Sequence, residues 1–316
     1  MQVIRPGRSF RRSGFFSPSL NNHRETMHQS LDCIPCFIRQ SLDVARYCTD
    51  DPEVHEEVLR HSLRLLAEHD FGSPSLKTAQ DVHRMIRNCI SKDDPYIEGK
   101  RLFNREMLDR LPGYRQVVAE SENSWSTAAR IAIAGNTIDF AFRTDLTASC
   151  AEDAIESALH AELHGNWNLS QLKEDVDQAK RILFLADNAG ELVCDRLWLE
   201  QFPLERTTVA VKGGPILNDA LLEDAEAAGL PEMVQVIENG SDAPGTLLDD
   251  CSPEFLAAYE AADMIVAKGM ANFESLLYER RDICFLFKVK CGVVSRLVDA
   301  PLGSLMIRRN SKENAY

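Results

Sequence analysis

The sequence predicts an α/β protein: an all-helical N-terminal domain followed by a Rossmann-like, three-layer α/β/α domain on a largely parallel sheet. Two observations carry this. Before about residue 176, apolar residues recur at helical spacing. From Arg181 onward the period changes to six short runs rich in β-branched and aromatic residues, with amphipathic segments between the earlier ones. Continuous apolar strands alternating with helices imply a parallel sheet covered on both faces.

The elements follow in order. "DCIPCFIRQSLDVARYC" reads as a helix, with Pro35 in its first turn. "DPEVHEEVLRHSLRLLAEHDF" opens on Asp51-Pro52, a cap followed by proline, and keeps its leucines on one face. "SLKTAQDVHRMIRNCI" and "GKRLFNREMLDRLPGY" are similar, and "STAARIAIAGNTIDFAF" is a further apolar helix or helix–turn. The six strand-like runs are "RILFLAD", "TTVAVKG", "VQVIEN", "MIVAKG", "ICFLFKV" and "SLMIRR". The domains expected are residues 27–175 (helical) and 176–316 (α/β), after a leader of residues 1–26.

Composition narrows the function. At 316 residues, 44% hydrophobic and 27% charged, the chain is an ordinary globular sequence. No apolar run reaches eighteen residues, so no membrane helix is expected. A formal charge of -14 opposes a broad grip on nucleic acid or anionic lipid. The leader sets Arg5, Arg8, Arg11, Arg12 and Arg24 against the single acid Glu25 and has no apolar core of a secretion signal; Met27 is the expected natural start. Nine scattered cysteines without a secretion signal suggest a reducing, cytoplasmic setting. Cys33-x-x-Cys36 stands at a helix start, where thiol pKa falls, and is read as structural or redox-active. With no second CxxC and no paired histidine nearby, zinc is not expected there. His55, His61, His69 and His83 lie in charged helical segments and are expected to be solvated.

The strand ends carry the chemistry. The first run ends on Asp187-Asn188, the second on Lys212-Gly213 with Asn218-Asp219 following, the third on Glu238-Asn239, and the fourth on Lys268-Gly269 with Asn272 and Glu274 following. Open α/β sheets bind ligands outside the carboxyl ends of their strands. Helix capping explains any one Asp or Asn, but not the two lysines. Asp187, Asn188 and Asp219 supply the oxygens a hard divalent cation prefers. Lys268 or Lys212 would neutralise a phosphate, and helix starts at Gly190 and Asn272 would add backbone donors. Asn136 lies in an apolar stretch, either as a helix cap or facing the sheet edge to complete the site. A haloacid-dehalogenase-type site would need a second Asp where Ala189 stands, and a dinucleotide fold would need GxGxxG after the first strand. An S-adenosylmethionine-dependent methyltransferase remains an alternative, although its glycine-rich loop is missing.

The pieces "DCIPC", "GNTIDF", "LADNAGE", "VKGGPILNDA", "AKGMANFESL" and "FKVKC" occur in one order between about Leu31 and Arg309. In this the chain resembles the domain-of-unknown-function 89 family of metal-dependent damage-control phosphatases, in its CxxC-containing prokaryotic branch. The resemblance implies a site between a helical and an α/β domain, a divalent metal (Mn, Co, Ni or Mg), and a small phosphorylated metabolite, such as a sugar phosphate, as substrate. It carries the metal ligands onto Asp187, Asn188 and Asp219, the phosphate lysine onto Lys268, and further site positions onto Asn136 and Glu191. One relative is described as a carboxyl methyltransferase, which keeps that class as the alternative. A non-enzymatic metal or redox protein using Cys33 and Cys36 is the third. Neither the oligomeric state nor the group carrying the phosphate is legible in the sequence.

Overall fold

A computed structural model describes residue 27, residues 29–136 and residues 148–310. The leader expected at 1–26, and most of "GNTIDF" after Asn136, lie outside the described residues.

Five of the expected helices are present: α1 (Cys33–Cys48), α2 (Pro52–Glu68), α3 (Ser75–Ile90), α4 (Ile97–Glu120) and α5 (Ser124–Gly135). The Asp51 side chain accepts from the backbone N–H of Glu53 at 2.9 Å, so α2 starts as its Asp-Pro pair predicts. Helix α4 runs past Pro112 to Glu120, because Leu111, Tyr114 and Val118 continue its buried stripe. Two further helices follow, α6 (Ala148–His160) and α7 (Leu169–Gln178), separated by a two-residue strand β1 (Leu163–His164) too short to show a period in the sequence.

All six expected strands form: β2 (Ile182–Leu185), β3 (Thr207–Val211), β4 (Gln235–Glu238), β5 (Met264–Lys268), β6 (Ile283–Lys288) and β7 (Leu305–Asn310). Helices α8 (Glu191–Leu199), α9 (Leu222–Ala227), α10 (Pro253–Ala261), α11 (Met270–Leu276) and α12 (Gly292–Val298) lie between them. The sheet order is β1-β7-β6-β5-β2-β3-β4, with every pair parallel except β6–β7.

Alternation along the strands builds two cores. Ile182, Phe184, Val266 and Leu286 face a layer that includes α4, α5, α7 and α8, where Trp125, Trp198 and Phe202 pack ring on ring at 5.1–5.3 Å. Leu183, Leu185, Ile265, Phe285 and Phe287 face α10, α11 and α12. The boundary expected at 175/176 falls inside α7, whose Leu172 and Val176 are buried in the first of these cores. Helices α1–α3 form a separate cluster around Val44, Val58, Val82 and Ile86.

This topology positions the site. From β2 the chain moves outward through β3 and β4, then returns to place β5 on the other side of β2. Strand order therefore reverses between β2 and β5, and the carboxyl ends of these strands are where an open α/β sheet forms its binding crevice. The α1–α3 cluster is held over this edge by α3. Gln80, Arg84 and Arg87 all donate to Asp242 in the loop after β4, at 2.5–3.1 Å. Burial would raise the Asp242 carboxyl, but these donors outweigh it and hold it at about 2.

Candidate metal centre

Strand β2 delivers Asp187 and Asn188 to the crevice, and the loop after β3 delivers Asp219 opposite them. The backbone pins the two segments together: Ala220 N–H donates to Asp187 O at 2.8 Å, and Ala189 N–H to Asn218 O at 2.9 Å. All three candidate ligands are buried, at 7%, 7% and 4% exposure. The structure therefore brings together the triad expected from the strand ends.

The side chains around the triad are engaged in a defined way. Asp187 Oδ2 accepts from Asn136 Nδ2 at 2.6 Å and from Asn188 Nδ2 at 2.8 Å. Glu191 Oε2 accepts from the same two amides at 2.9 Å each. With both NH₂ groups turned to carboxylates, Asn136 and Asn188 have carbonyl oxygens to offer. Asn136 Oδ1 is buried without a hydrogen-bond partner, as is Asp219 Oδ2, although the Lys212 ammonium stands 3.4 Å from the latter. Native interiors rarely leave buried oxygens unmatched.

Electrostatics point the same way. Burial, then Glu191 and Asp219, push the Asp187 carboxyl up to about 7. Burial likewise raises Asp219 to about 6 against the pull of Lys212. Four buried acids (Asp187, Glu191, Asp195, Asp219) gather around the two lysines in direct contact with them (Lys212, Lys268), while Lys100 and Lys290 act on the aspartates from further out, so acids outnumber their contacting cations and leave a deficit of positive charge. An all-oxygen donor set with that deficit fits a hard divalent cation. Gly269 is shaped to the same end: at φ +83°, a Cβ there would stand 2.0 Å from Asp187 Oδ2.

Several expected site residues are committed to partners within the protein. Lys268 is fully buried, and its three donors are spent on Ala132 O at 3.0 Å, Glu191 Oε1 at 2.6 Å and Asp195 Oδ1. Burial alone would lower its pKa, but Asp195 and Glu191 more than reverse that. A lysine with no donor left does not grip a phosphate. The Asn272 side chain is engaged, its Nδ2 donating to Ala186 O and Lys268 O and its Oδ1 accepting from Thr246, so what it could offer an anion is the backbone N–H expected at this helix start. Lys212 donates to Gly245 O and faces Asp219. Gly190 (φ +70°) gives its N–H to Asn104 Oδ1 at 2.6 Å, and the Phe103 ring fills the space over its Cα. It therefore receives α4 rather than an anion.

Cys33 is half-buried and Cys36 exposed; burial raises both thiols, outweighing the lowering expected at a helix start. Cys291 and Glu274 push both up further. His83 is buried rather than solvated, and burial followed by Arg87 lowers it to about 4.

Two residues were missed by reading the first four strand ends. Lys290, just past β6, is exposed, and its charge lowers both Asp187 and Asp219. Its backbone N–H lies 3.5 Å from Met270 Sδ at the start of α11, beside the Lys268-Gly269 corner. The "FKVKC" segment held that signal. Asp195, one helical turn after Glu191 on α8, completes the Lys268 pair, and its i,i+4 spacing was the available hint. A broad concavity of about 1010 Å³ lies at the opposite, amino-terminal edge of the sheet, lined by Arg181, Thr207 and Gln235. It is remote from the carboxylate–amide cluster and takes no part in this chemistry.

Comparison with known proteins places the chain in a family. The damage-control phosphatase ARMT1-like domain matches residues 30–306. The chain belongs to this family. It is 34% identical to an uncharacterized protein of Methanocaldococcus jannaschii, over 92% of this chain and 98% of that one. A damage-control phosphatase of Pyrococcus horikoshii is 31% identical over 90% and 99% of the two chains, and one of Archaeoglobus fulgidus 29% over 87% and 97%. A crystal structure titled as a DUF89 family protein from P. horikoshii superposes with a TM-score of 0.79 at 30% identity, covering 89% of this chain and 99% of that one. This damage-control phosphatase family member thus shares fold and length with relatives named as phosphatases. Among the described residues, no helix is long and apolar enough to cross a membrane.

Proposed function

We propose that the chain is a divalent-metal-dependent phosphomonoester hydrolase acting on small phosphorylated metabolites, with Asp187, Asn188 and Asp219 as the metal ligands. The observation that carries this is the buried all-oxygen donor set at the β2/β5 switch point, where acids outnumber the lysines in contact with them. When bound there, a divalent cation would polarise phosphoryl oxygens and lower the pKa of a water.

The chain's own residues do the rest. Glu191 holds the amides of Asn136 and Asn188 so that their carbonyl oxygens are presented. Lys268 neutralises Glu191 and Asp195 and acts through them rather than on substrate. Lys290, exposed and within electrostatic reach of both aspartates, takes over the phosphate-facing role expected of Lys268. Its ammonium offsets charge that develops on the phosphoryl oxygens. The attacking group is a water or Asp187; a carboxylate committed to a cation is the poorer nucleophile.

The test is phosphate release from a panel of sugar phosphates and other small phosphomonoesters, with Mn²⁺, Co²⁺, Ni²⁺ or Mg²⁺ added in turn. Metal-dependent release that Asp187→Ala abolishes, with the fold retained, is expected. No release with any metal, or methyl transfer from S-adenosylmethionine in its place, would overturn the proposal.

A further inference from the structure

A second group of metal-ligating side chains lies away from this centre. On the outer face of the α1–α3 cluster, Glu57 and His61 stand one helical turn apart on α2, and Cys89 faces them from α3. One ligand atom of each lies within 4.8 Å of the other two, and among the described residues this is the one His/Cys/Asp/Glu trio so gathered. His61 Nδ1 is 3.2 Å from Cys89 Sγ, and the Met85 thioether is 3.6 Å from the same sulfur. We propose that Glu57, His61 and Cys89 form a second metal site, selective for a borderline-soft divalent ion of the zinc class, which ties α2 to α3.

The chemistry of the donors separates this site from the first. A thiolate, an imidazole and one carboxylate suit Zn²⁺ or Co²⁺, whereas an all-oxygen set suits harder ions. In a tetrahedral zinc site, bond lengths of about 2.3 Å to sulfur and about 2.0 Å to nitrogen put those two atoms about 3.5 Å apart. The observed 3.2 Å therefore needs only a small opening. Glu57 and His61 border an open hollow that Glu53, Glu56, Arg60 and Arg64 also line, which leaves room for a water as fourth ligand. Arg60 is turned onto Glu56 at 2.7 Å, which removes one cation from competition for the trio. Burial, then Glu57, raises the Cys89 thiol, so binding would release its proton to solvent and strengthen as pH rises.

The position gives the site a consequence. Helix α3 carries Gln80, Arg84 and Arg87, which fasten the helical cluster to Asp242 beside the catalytic edge. An ion joining α2 to α3 would stiffen that attachment without touching the phosphatase centre.

Cobalt distinguishes the two sites, because thiolate ligation gives a near-ultraviolet charge-transfer band and oxygen ligation does not. The chelator-stripped full-length chain is titrated with Co²⁺. The expected result is a band displaced by Zn²⁺ and retained in Asp187→Ala, where it saturates at one equivalent because the oxygen site no longer competes. It should be lost in Cys89→Ser, and His61→Ala should weaken Co²⁺ binding at least tenfold. Cys89→Ser should keep metal-dependent phosphate release, so failure here leaves the reading at Asp187 untouched. No band, or a band that survives Cys89→Ser and vanishes in Cys33→Ser, overturns the proposal.

Discussion

Replacing Lys268 with Met separates a structural lysine from a substrate-binding one. The ammonium is fully buried, with Glu191 Oε1 at 2.6 Å and Asp195 Oδ1 closer still. Removing one partner of a buried ion pair costs about 3–5 kcal/mol, because the remaining charge is stranded. Here two carboxylates are stranded, so the upper end is expected. For a chain of 316 residues that loss corresponds to a fall in Tm of roughly 5–8 °C. The defect should shrink on acidification: a buried carboxylate without its cation has a folded pKa above its unfolded value, so the destabilisation is absent at low pH and grows as pH rises. Lys290→Met is the paired control. It is exposed, so its Tm should change by less than about 0.5 kcal/mol equivalent. The loss of one charge-assisted contact of about 1.5–3 kcal/mol should instead cut kcat/KM roughly 10- to 150-fold. Thermal unfolding from pH 5 to pH 8, with phosphate-release kinetics on the same samples, reads both. A Lys268→Met protein with wild-type Tm and collapsed turnover, beside an unaffected Lys290→Met, would refute the division of roles.

Other outcomes follow from the same geometry. Gly269→Ala drives a methyl into the Asp187 carboxylate and forces a non-glycine residue to φ +83°; metal titration should show at least tenfold weaker binding, with about 1–3 kcal/mol of lost stability. In the metal-free protein, Asp187 (about 7) and Asp219 (about 6) both sit above their unfolded values, so the fold holds extra protons between about pH 4 and 7. Its Tm should therefore fall as pH rises through that window, while Mn²⁺ affinity rises; a metal-free Tm that climbed with pH would contradict the assignment.

Much of this was legible in the sequence, for physical reasons specific to each element. The central strands are buried on both faces, so their short, continuous apolar runs and β-branched content announced them. Strand β1 has two residues and no period to read. Asp187, Asn188 and Asp219 stood out because carboxylates and a carboxamide at the ends of apolar strands have few reasons to be there. The fate of Lys268 was hidden, since its partners come from a helix and its backbone acceptor from α5, 136 residues away. Gly190 misled for the same reason: its neighbour is the Phe103 ring on α4, a contact no local pattern encodes. The Cys89–His61 pairing spans 28 residues and two helices, so spacing rules for contiguous motifs passed over it.

The contiguity of "DNAGE" now has a cause. Asp187 and Asn188 follow β2 almost directly, and Glu191 opens α8 with one oxygen on Lys268 and the other on both amides. The ligand-bearing strand end and the helix that orients it are thus one rigid corner. Gly190 lets the chain turn and admits Phe103 and Asn104, which lock α4 onto the corner from outside. Lys268 arrives from β5, across the switch point, and anchors the corner from below. A fault at Glu191 would therefore release two amides and strand one lysine, although Glu191 belongs to none of the expected metal ligands. Glu191→Gln keeps the shape but removes the charge that Lys268 neutralises and the acceptor that both amides share. It should lower metal affinity at least tenfold with little change in secondary structure. Unchanged metal binding in that variant would show that the amides orient themselves.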